Sequence, residues 1–200
     1  MPYKFNLPQP DMSIISEILD YCNSLPEDPK FNFMAKKYSE KHFNNEINLA
    51  KCKYIHNEKI QEYTEKTYQQ YFKDKIFGIF VNLINLNPTS VATYPPHTDG
   101  GGRTISINRC IQMGGTNVYT KIYKQESDYK TNGLMSNKDE QFDLLGEYQF
   151  NDESWYQFCP QNYHSVHNIV DHRILYSICF QNTREPEFIE KHKHLIIEAL

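Results

Sequence analysis

The sequence lacks the features that mark secreted, membrane-bound and nucleic-acid-binding proteins. It has five cysteines, an odd number without any C-x-x-C pair, and therefore no sign of a disulfide framework. No apolar run has the length of a signal peptide or approaches the roughly 20 residues of a membrane span. The net charge of −4 comes without a basic stripe of the kind that binds nucleic-acid backbones. We therefore expect a cytoplasmic protein in a reducing environment, with no membrane segment and no strong nucleic-acid signal.

The composition is that of an ordinary globular domain. Hydrophobic residues make up 39% of the 200 positions, which is enough for one sizeable core. No internal repeat and no linker divides the chain. We predict a single domain over residues 1–200, with helical support over 1–75, a β core over 76–181 and a C-terminal helix over 186–200.

Two helical patterns come before a region of strands. The first has Ile14, Ile18 and Cys22 on one face, and the second covers residues 56–72. A polar segment at 125–146 is predicted to be a long loop. Strands are predicted at 76–86, 91–94, 103–112, 116–124, 147–150, 155–159, 163–170 and 173–181, with a hairpin turn at Met113-Gly114-Gly115. This order predicts a mainly β chain, a sandwich of jelly-roll type with helices packed on one of its sheets.

The segment His97-Thr98-Asp99 holds the strongest chemical signal. On an extended segment, side chains two residues apart leave the same face, so His97 and Asp99 can grip one ion. Two imidazoles and one carboxylate are the donors of a non-haem Fe(II) centre, which leaves metal positions open for substrates and O2. A third ligand is then required, and the candidates are His164, His167 and His172.

The alternation of side chains along the last two predicted strands selects among these histidines. If the two strands form a hairpin with a tight turn, His164 lies opposite Ser177, and both face inward with Arg173. His167 then faces outward, although a register slip of one residue would reverse that result. His172 falls in the turn. We therefore predict His164 as the third ligand, with His167 as the alternative.

Arg173 and Ser177 together suggest a site for an organic acid. The guanidinium group of an arginine can hold a carboxylate with two parallel hydrogen bonds. Ser177 lies four residues further along the same predicted strand, hence on the same face, and can donate another hydrogen bond. The alternative is a structural ion pair of Arg173 with Asp171 or Glu147.

Four segments, in this order, resemble the double-stranded β-helix core of the 2-oxoglutarate- and Fe(II)-dependent oxygenases. The chain is most similar to the prolyl-4-hydroxylase-like branch of that superfamily, with its small microbial and viral members. The segments are PPHTD (95–99), SINRCIQMGGTNVY (106–119), FCPQNYHSV (158–166) and RILYSICF (173–180). Each motif is short, but their shared order over about half of the chain is fairly specific.

The resemblance implies a function as well as a fold. His97, Asp99 and His164 would be the catalytic iron ligands, and Arg173 would bind the distal carboxylate of 2-oxoglutarate. With O2 as cosubstrate, such an enzyme hydroxylates its substrate and releases succinate and CO2. We expect that substrate to be a small molecule or a peptide residue.

The chain departs from the family pattern just before His97. The family often has Tyr-x-x-Gly there, where this chain has Leu86-Asn-Pro-Thr89. A tyrosine that assists 2-oxoglutarate binding would then come from elsewhere, and Tyr119 is the candidate, with Tyr123 as the alternative.

Two other functions stay open on the sequence alone. One is a non-catalytic jelly-roll binding or structural module, and the other is a cupin-type metal enzyme that does not use 2-oxoglutarate.

Overall fold

Twelve strands and three α-helices form the described part of the chain. The computed structural model describes residues 2–24, 37, 40, 48–85, 87, 89–99, 102–124, 143–150 and 153–200. The helices are α1 (Met12–Asn23), α2 (Glu58–Tyr68) and α3 (Glu185–His192), and 3-10 turns follow α2 at Gln69–Tyr71 and α3 at Lys193–Leu195. The strands are β1 (Tyr3–Phe5), β2 (Asn48–Leu49), β3 (Lys51–Ile55), β4 (Phe77–Ile84), β5 (Ala92–His97), β6 (Arg103–Met113), β7 (Tyr119–Tyr123), β8 (Leu144–Tyr148), β9 (Trp155–Phe158), β10 (His164–Ile169), β11 (Arg173–Gln181) and β12 (Ile196–Ala199).

The strands form two sheets that face each other. The larger sheet has the order β12-β1-β9-β6-β11-β4-β3, and the smaller one has the order β2-β5-β10-β7-β8. The eight strands from β4 to β11 supply two antiparallel sets of four, β9-β6-β11-β4 and β5-β10-β7-β8. This connectivity, in which the chain passes back and forth between the sheets, is that of a jelly roll. The predicted mainly β architecture with a jelly-roll core and flanking helices is confirmed.

Strand β11 shows how the sequence divides the two faces of the larger sheet. Ile174, Tyr176 and Ile178 are fully buried in a core cluster that also contains residues of α1, α2 and α3. The alternating residues Arg173 and Ser177 line a cavity between the sheets instead. Each large apolar side chain buried under the helices contributes about 1.5–3 kcal/mol to folding. The helices therefore fix the larger sheet from outside and leave its inner face for the cavity.

The predictions for the two ends of the chain are wrong in part. Residues 1–75 are not only helical, because β1, β2 and β3 lie there beside the two helices. The C-terminal helix ends at His192, and Ile196–Ala199 forms a strand that pairs with β1. Strand pairing with β1 outweighs the local helical pattern. Of the loop predicted at 125–146, residues 125–142 lie outside the described residues, and β8 begins at Leu144.

Both predicted hairpins are also wrong. Strands β6 and β7 lie in different sheets, as do β10 and β11, so each of these connections crosses the sandwich. The two crossings touch, because the Gly114 carbonyl accepts hydrogen bonds from the backbone N–H groups of Val170 (2.8 Å) and Asp171 (3.0 Å). A short turn and a run of apolar residues on each side look the same in sequence whether the strands pair or stack.

No helix among the described residues is long and apolar enough to span a membrane.

Candidate metal centre

The jelly-roll register brings the His-x-Asp segment beside the first residue of a neighbouring strand. His97 is the last residue of β5, and His164 is the first residue of β10. The two strands are antiparallel neighbours, and His164 pairs with His97. Asp99 follows two residues after His97, and its backbone N–H donates to the Pro160 carbonyl at 2.8 Å. One ligand atom from each of His97, Asp99 and His164 lies within 4.8 Å of the others.

The hydrogen bonds of both imidazoles leave the same ring nitrogen free for a metal. His97 Nδ1 lies 2.8 Å from the Pro95 carbonyl oxygen, and His164 Nδ1 lies 2.9 Å from that of Asn162. A ring nitrogen beside a carbonyl carries the proton, so each Nε2 keeps its lone pair. These Nε2 atoms lie 3.4 Å and 3.9 Å from Asp99 Oδ1. All three donors therefore converge on one point.

Electrostatics favour the ligating forms of His164 and Asp99. Burial lowers the pKa of His164 to about 4, so its imidazole is neutral near pH 7. Burial alone would raise the pKa of Asp99, but the adjacent His97 ring and the charges nearby hold this pKa well below its usual range. Arg103 is one of these charges, with Nη2 3.4 Å from Asp99 Oδ2. Two neutral imidazoles and one carboxylate are the donor set of non-haem Fe(II) sites.

The three residues line a cavity between the two sheets. The cavity has about 630 Å³ of space, part of it open to solvent. Most of its wall is apolar or aromatic, with Tyr94, Phe158 and Val166 close to the histidines. Cys52 also lines it, but burial raises the pKa of this thiol to about 12, which keeps it protonated and a poor ligand.

Arg173 reaches the same cavity and has no anionic partner among the described residues. It is 1% exposed, and its Nη1 donates to the Met113 carbonyl at 3.3 Å. Its Nε and Nη2 atoms are buried, and no residue in the described part of the chain forms a hydrogen bond with them. Burial lowers the pKa of Arg173, but an arginine keeps its proton in proteins. The structural ion pair with Asp171 or Glu147 is not found, and Glu147 pairs with Lys121 instead, at 3.6 Å.

Ser177 lies on the cavity side of β11, as the sequence pattern predicts. Its hydroxyl donates a hydrogen bond to Asn108 Oδ1 on the neighbouring strand β6. The hydrogen bond that we expected Ser177 to donate to a bound acid is therefore donated to Asn108 in this structure. Asn108 itself is 7% exposed and lines the cavity. It was missed, although buried polar residues at every second position of a predicted strand are a usable signal.

The structure does not bring Tyr119 to the cavity. Thr120 lines it, and the alternation of β7 turns Tyr119 to the opposite face of the smaller sheet. There the Tyr119 ring stacks on His167, with centroids 5.0 Å apart, and His167 Nε2 lies 2.7 Å from Ser165 Oγ. Tyr123, the alternative, also contacts Ser165 Oγ, at 2.8 Å. Among the described histidines, neither His167 nor His172 belongs to the candidate ligand group.

A tyrosine of β3 takes a place at the site that the sequence did not predict. The Tyr54 hydroxyl donates to Asp99 Oδ1 at 2.6 Å. The guanidinium carbon of Arg103 lies 4.3 Å from the centre of the Tyr54 ring. Both residues line the cavity. Tyr54 gave no signal because its strand falls in a region that the sequence predicted to be helical support.

Comparison with known proteins adds a likeness in shape. No protein-family model matches the chain, and no curated protein sequence matches it. A solved structure titled ycfD, from E. coli, is 12% identical with a TM-score of 0.37; the match covers 65% of this chain and 32% of that one. A Pseudomonas putida prolyl-4-hydroxylase is 11% identical with a TM-score of 0.42, over 91% of this chain and 92% of that one. This chain therefore spans about a third of ycfD, and the functional argument rests on the side chains of the site.

Proposed function

We propose that the protein is a non-haem Fe(II)- and 2-oxoglutarate-dependent dioxygenase that hydroxylates a small molecule or a peptide residue and releases succinate and CO2. One observation carries the proposal: a metal donor set and a buried arginine that has no anionic partner among the described residues line the same cavity. A metal alone requires only His97, Asp99 and His164. A dicarboxylic acid that chelates the metal with one end requires a cation for the other end, and Arg173 supplies it.

The donor set fits iron in both kind and number. Two imidazoles and one carboxylate hold one face of an octahedral metal and leave the opposite face open. O2 would be the oxidant, and bound iron, together with 2-oxoglutarate that is itself oxidised to succinate and CO2, would supply the O2 activation that the side chains of a protein lack. The protein would position both, because the Nδ1 contacts of His97 and His164 fix the ring orientations.

Arg173 fits the distal carboxylate of 2-oxoglutarate. Its unpartnered atoms, Nε and Nη2, lie on the guanidinium, whose N–H groups can donate two parallel hydrogen bonds to one carboxylate. Without an anion, a buried unpaired cation is costly to the folded chain. Ser177 lies on the same strand as Arg173, β11, and pairs with Asn108 on β6. Both line the cavity and would supply further polar contacts to the carboxylate.

The wall of the cavity bears on the substrate and the outcome. Tyr94, Phe150 and Phe158 line the cavity with aromatic rings, which suits an apolar group of a small molecule or a peptide. Asp99 occupies the position that a halide would need, which favours hydroxylation, or demethylation or desaturation, over halogenation. All five cysteines are unpaired, which agrees with the reducing cytoplasm that we propose for the protein.

The proposal is tested by anaerobic titration with Fe(II) and 2-oxoglutarate, recorded as the visible charge-transfer band of the bound pair. We expect a band in the wild-type protein and none in His97→Ala or Asp99→Ala that retain the wild-type circular dichroism. A cupin-type enzyme would bind iron without responding to 2-oxoglutarate, and a binding module would not bind iron. A folded protein of proven iron content without the band would overturn the proposal.

A further inference from the structure

Asp99 is held from two sides by residues outside the donor set. Tyr54 donates to Oδ1 at 2.6 Å, and Arg103 Nη2 lies 3.4 Å from Oδ2. Tyr54 comes from β3, at one edge of the larger sheet, and Arg103 is the first residue of β6. The carboxylate therefore has a separate partner for each of its oxygens, and the two partners come from different strands.

The two partners also hold each other. The Arg103 guanidinium carbon lies 4.3 Å from the centroid of the Tyr54 ring, within the range of a cation–π contact. The side chains of Arg103 and Asp99 are each 8% exposed, so their ion pair is shielded from water, whereas Tyr54 is 39% exposed. Tyr54, Arg103 and Asp99 thus form a closed group in which each member touches the other two.

The group determines which oxygen of Asp99 faces the histidines. Oδ1 lies 3.4 Å from His97 Nε2 and 3.9 Å from His164 Nε2. Neighbouring ligands on an octahedral ion with bonds of about 2.1 Å lie about 3 Å apart, so Oδ1 is the oxygen that a metal would meet. Oδ2 faces Arg103 instead. With Oδ2 held there, a metal would receive one oxygen from Asp99 rather than two.

We propose that Tyr54, supported by Arg103, is a positioning residue that keeps Asp99 a one-oxygen ligand. A carboxylate that binds through both oxygens occupies two metal positions and leaves one fewer for 2-oxoglutarate and O2. The hydrogen bond from Tyr54 fixes the rotation of the carboxylate about its Cβ–Cγ bond, and Arg103 holds the far oxygen. This inference rests on the proposed metal centre and goes beyond it, since Tyr54 itself would not touch the metal.

The test uses Co(II) alone, whose visible absorption depends on the number and geometry of its ligands. We expect Tyr54→Phe to bind Co(II) about tenfold more weakly than the wild type, since partners of ligating residues typically contribute 10–100-fold. Its Co(II) spectrum should shift, because a carboxylate held by Arg103 alone can rotate and bring its second oxygen towards the metal. Tyr21→Phe, at a half-exposed tyrosine of α1, is the matched control and should behave as the wild type.

A second variant keeps the test decisive if Tyr54→Phe does not fold. Arg103→Gln releases Oδ2 from the other side and should shift the Co(II) spectrum in the same direction. In the double variant the loss of affinity should be smaller than the product of the two single losses, because both act on one carboxylate. If the two single losses of Co(II) affinity multiply fully in a folded double variant, the two residues act independently and the proposal is contradicted.

The outcomes separate this inference from the metal centre itself. If wild type and Tyr54→Phe bind Co(II) with the same affinity and spectrum, and His97→Ala does not bind it, the metal centre stands and the role of Tyr54 is refuted. If the folded wild type does not bind Co(II), both the centre and the positioning role fall. A weaker, spectrally shifted complex in Tyr54→Phe supports both.

Discussion

His97 and His164 face each other across two antiparallel strands, and the centroids of their imidazole rings lie 4.2 Å apart. The two histidines are far apart in the sequence, and the register in which β5 pairs with β10 brings them together. Phe158 packs against the His164 ring from another side, with centroids 5.0 Å apart. The position of the third donor therefore depends on strand pairing in the smaller sheet.

Replacing His164 and His167 separately tests this pairing. We expect His164→Ala to abolish Fe(II) binding, because it removes a donor atom within 4.8 Å of the other two. His167→Ala should retain iron, since the His167 ring stacks on Tyr119 at the opposite face of the sheet. Iron content after anaerobic loading, measured by metal analysis, distinguishes the two variants. Iron in His164→Ala and none in His167→Ala would show that the register of β10 is different in solution.

The sequence predicted the inward side of β10 from a hairpin with β11, and only one step of that argument does not depend on the partner strand. Alternation along one strand is a local property, and it separates His164 from His167 in any sheet. The identity of the partner is not local. The predicted hairpin of β10 with β11 is wrong because the jelly roll sends consecutive strands to opposite sheets. Arg173 still faces the cavity, but from the other sheet and beside Met113.

Residues outside the predicted strands show the limit of local patterns more clearly. Tyr54 reaches Asp99 only because β3 joins the edge of the larger sheet beside β4. Nothing within a few residues of Tyr54 specifies that contact. The prediction for Tyr119 is wrong for a different reason. It assigned a tyrosine to 2-oxoglutarate binding without regard to the alternation of β7, which turns Tyr119 away from the cavity. Arg103 and Asn108 lie in a strand that the sequence did predict, and their burial is the property that it did not reveal.

Gly114 is predicted to be needed for the position of Arg173. Its φ is +76°, and a Cβ atom there would lie 2.8 Å from Arg173 Cβ and 3.1 Å from Arg173 Cα. Gly114→Ala should therefore cost the left-handed strain of about 1–2 kcal/mol and an additional amount for displacing the start of β11. Chemical unfolding measures the total, and the affinity for 2-oxoglutarate reports the displacement.

Gly102→Ala is the matched control for that substitution. Gly102 has nearly the same φ, +74°, but a Cβ atom there would meet, among the described residues, only the Gln181 side chain, at 4.0 Å. It should lose stability by the strain alone, about 1–2 kcal/mol. Equal losses in the two variants would mean that β11 moves away from residue 114 at no cost, and the argument for Gly114 would fail.

His192 is predicted to make the protein less stable in mild acid. It is 1% exposed, its Nε2 has no partner among the described residues, and burial lowers its pKa below the ordinary value of 6.5. The folded chain therefore binds fewer protons here than the unfolded chain does, so the unfolding free energy falls as pH drops through about 6.5 towards the lowered pKa. Urea unfolding at about pH 7.5 and about pH 5.5 should show this loss. His192→Gln, which does not titrate, should lose less, and a loss equal to that of wild type would assign the effect elsewhere.

Arg173→Met should change stability and ligand binding in opposite directions. Methionine fills the same space without a charge, and replacing a buried, poorly paired ion with an apolar residue can stabilise a fold by about 1–4 kcal/mol. The same change removes two hydrogen bonds to the distal carboxylate, each worth about 1.5–3 kcal/mol, so 2-oxoglutarate affinity should fall by about 100-fold or more. Thermal unfolding with and without 2-oxoglutarate, at saturating metal, measures both effects.

A second buried arginine separates the role of Arg173 from the general effect of removing a cation. Arg109 is 6% exposed, but its Nε donates to Gln9 Oε1 and its Nη2 lies 3.8 Å from Glu153 Oε2. Arg109→Met also leaves the buried Cys110 carbonyl without the hydrogen bond from Arg109 Nη1, so it should destabilise the protein, and it should leave the 2-oxoglutarate affinity unchanged because Arg109 does not line the cavity. If Arg173→Met instead destabilises the protein as Arg109→Met does, and keeps the wild-type affinity, then Arg173 is a structural residue and the cavity has no site for the distal carboxylate.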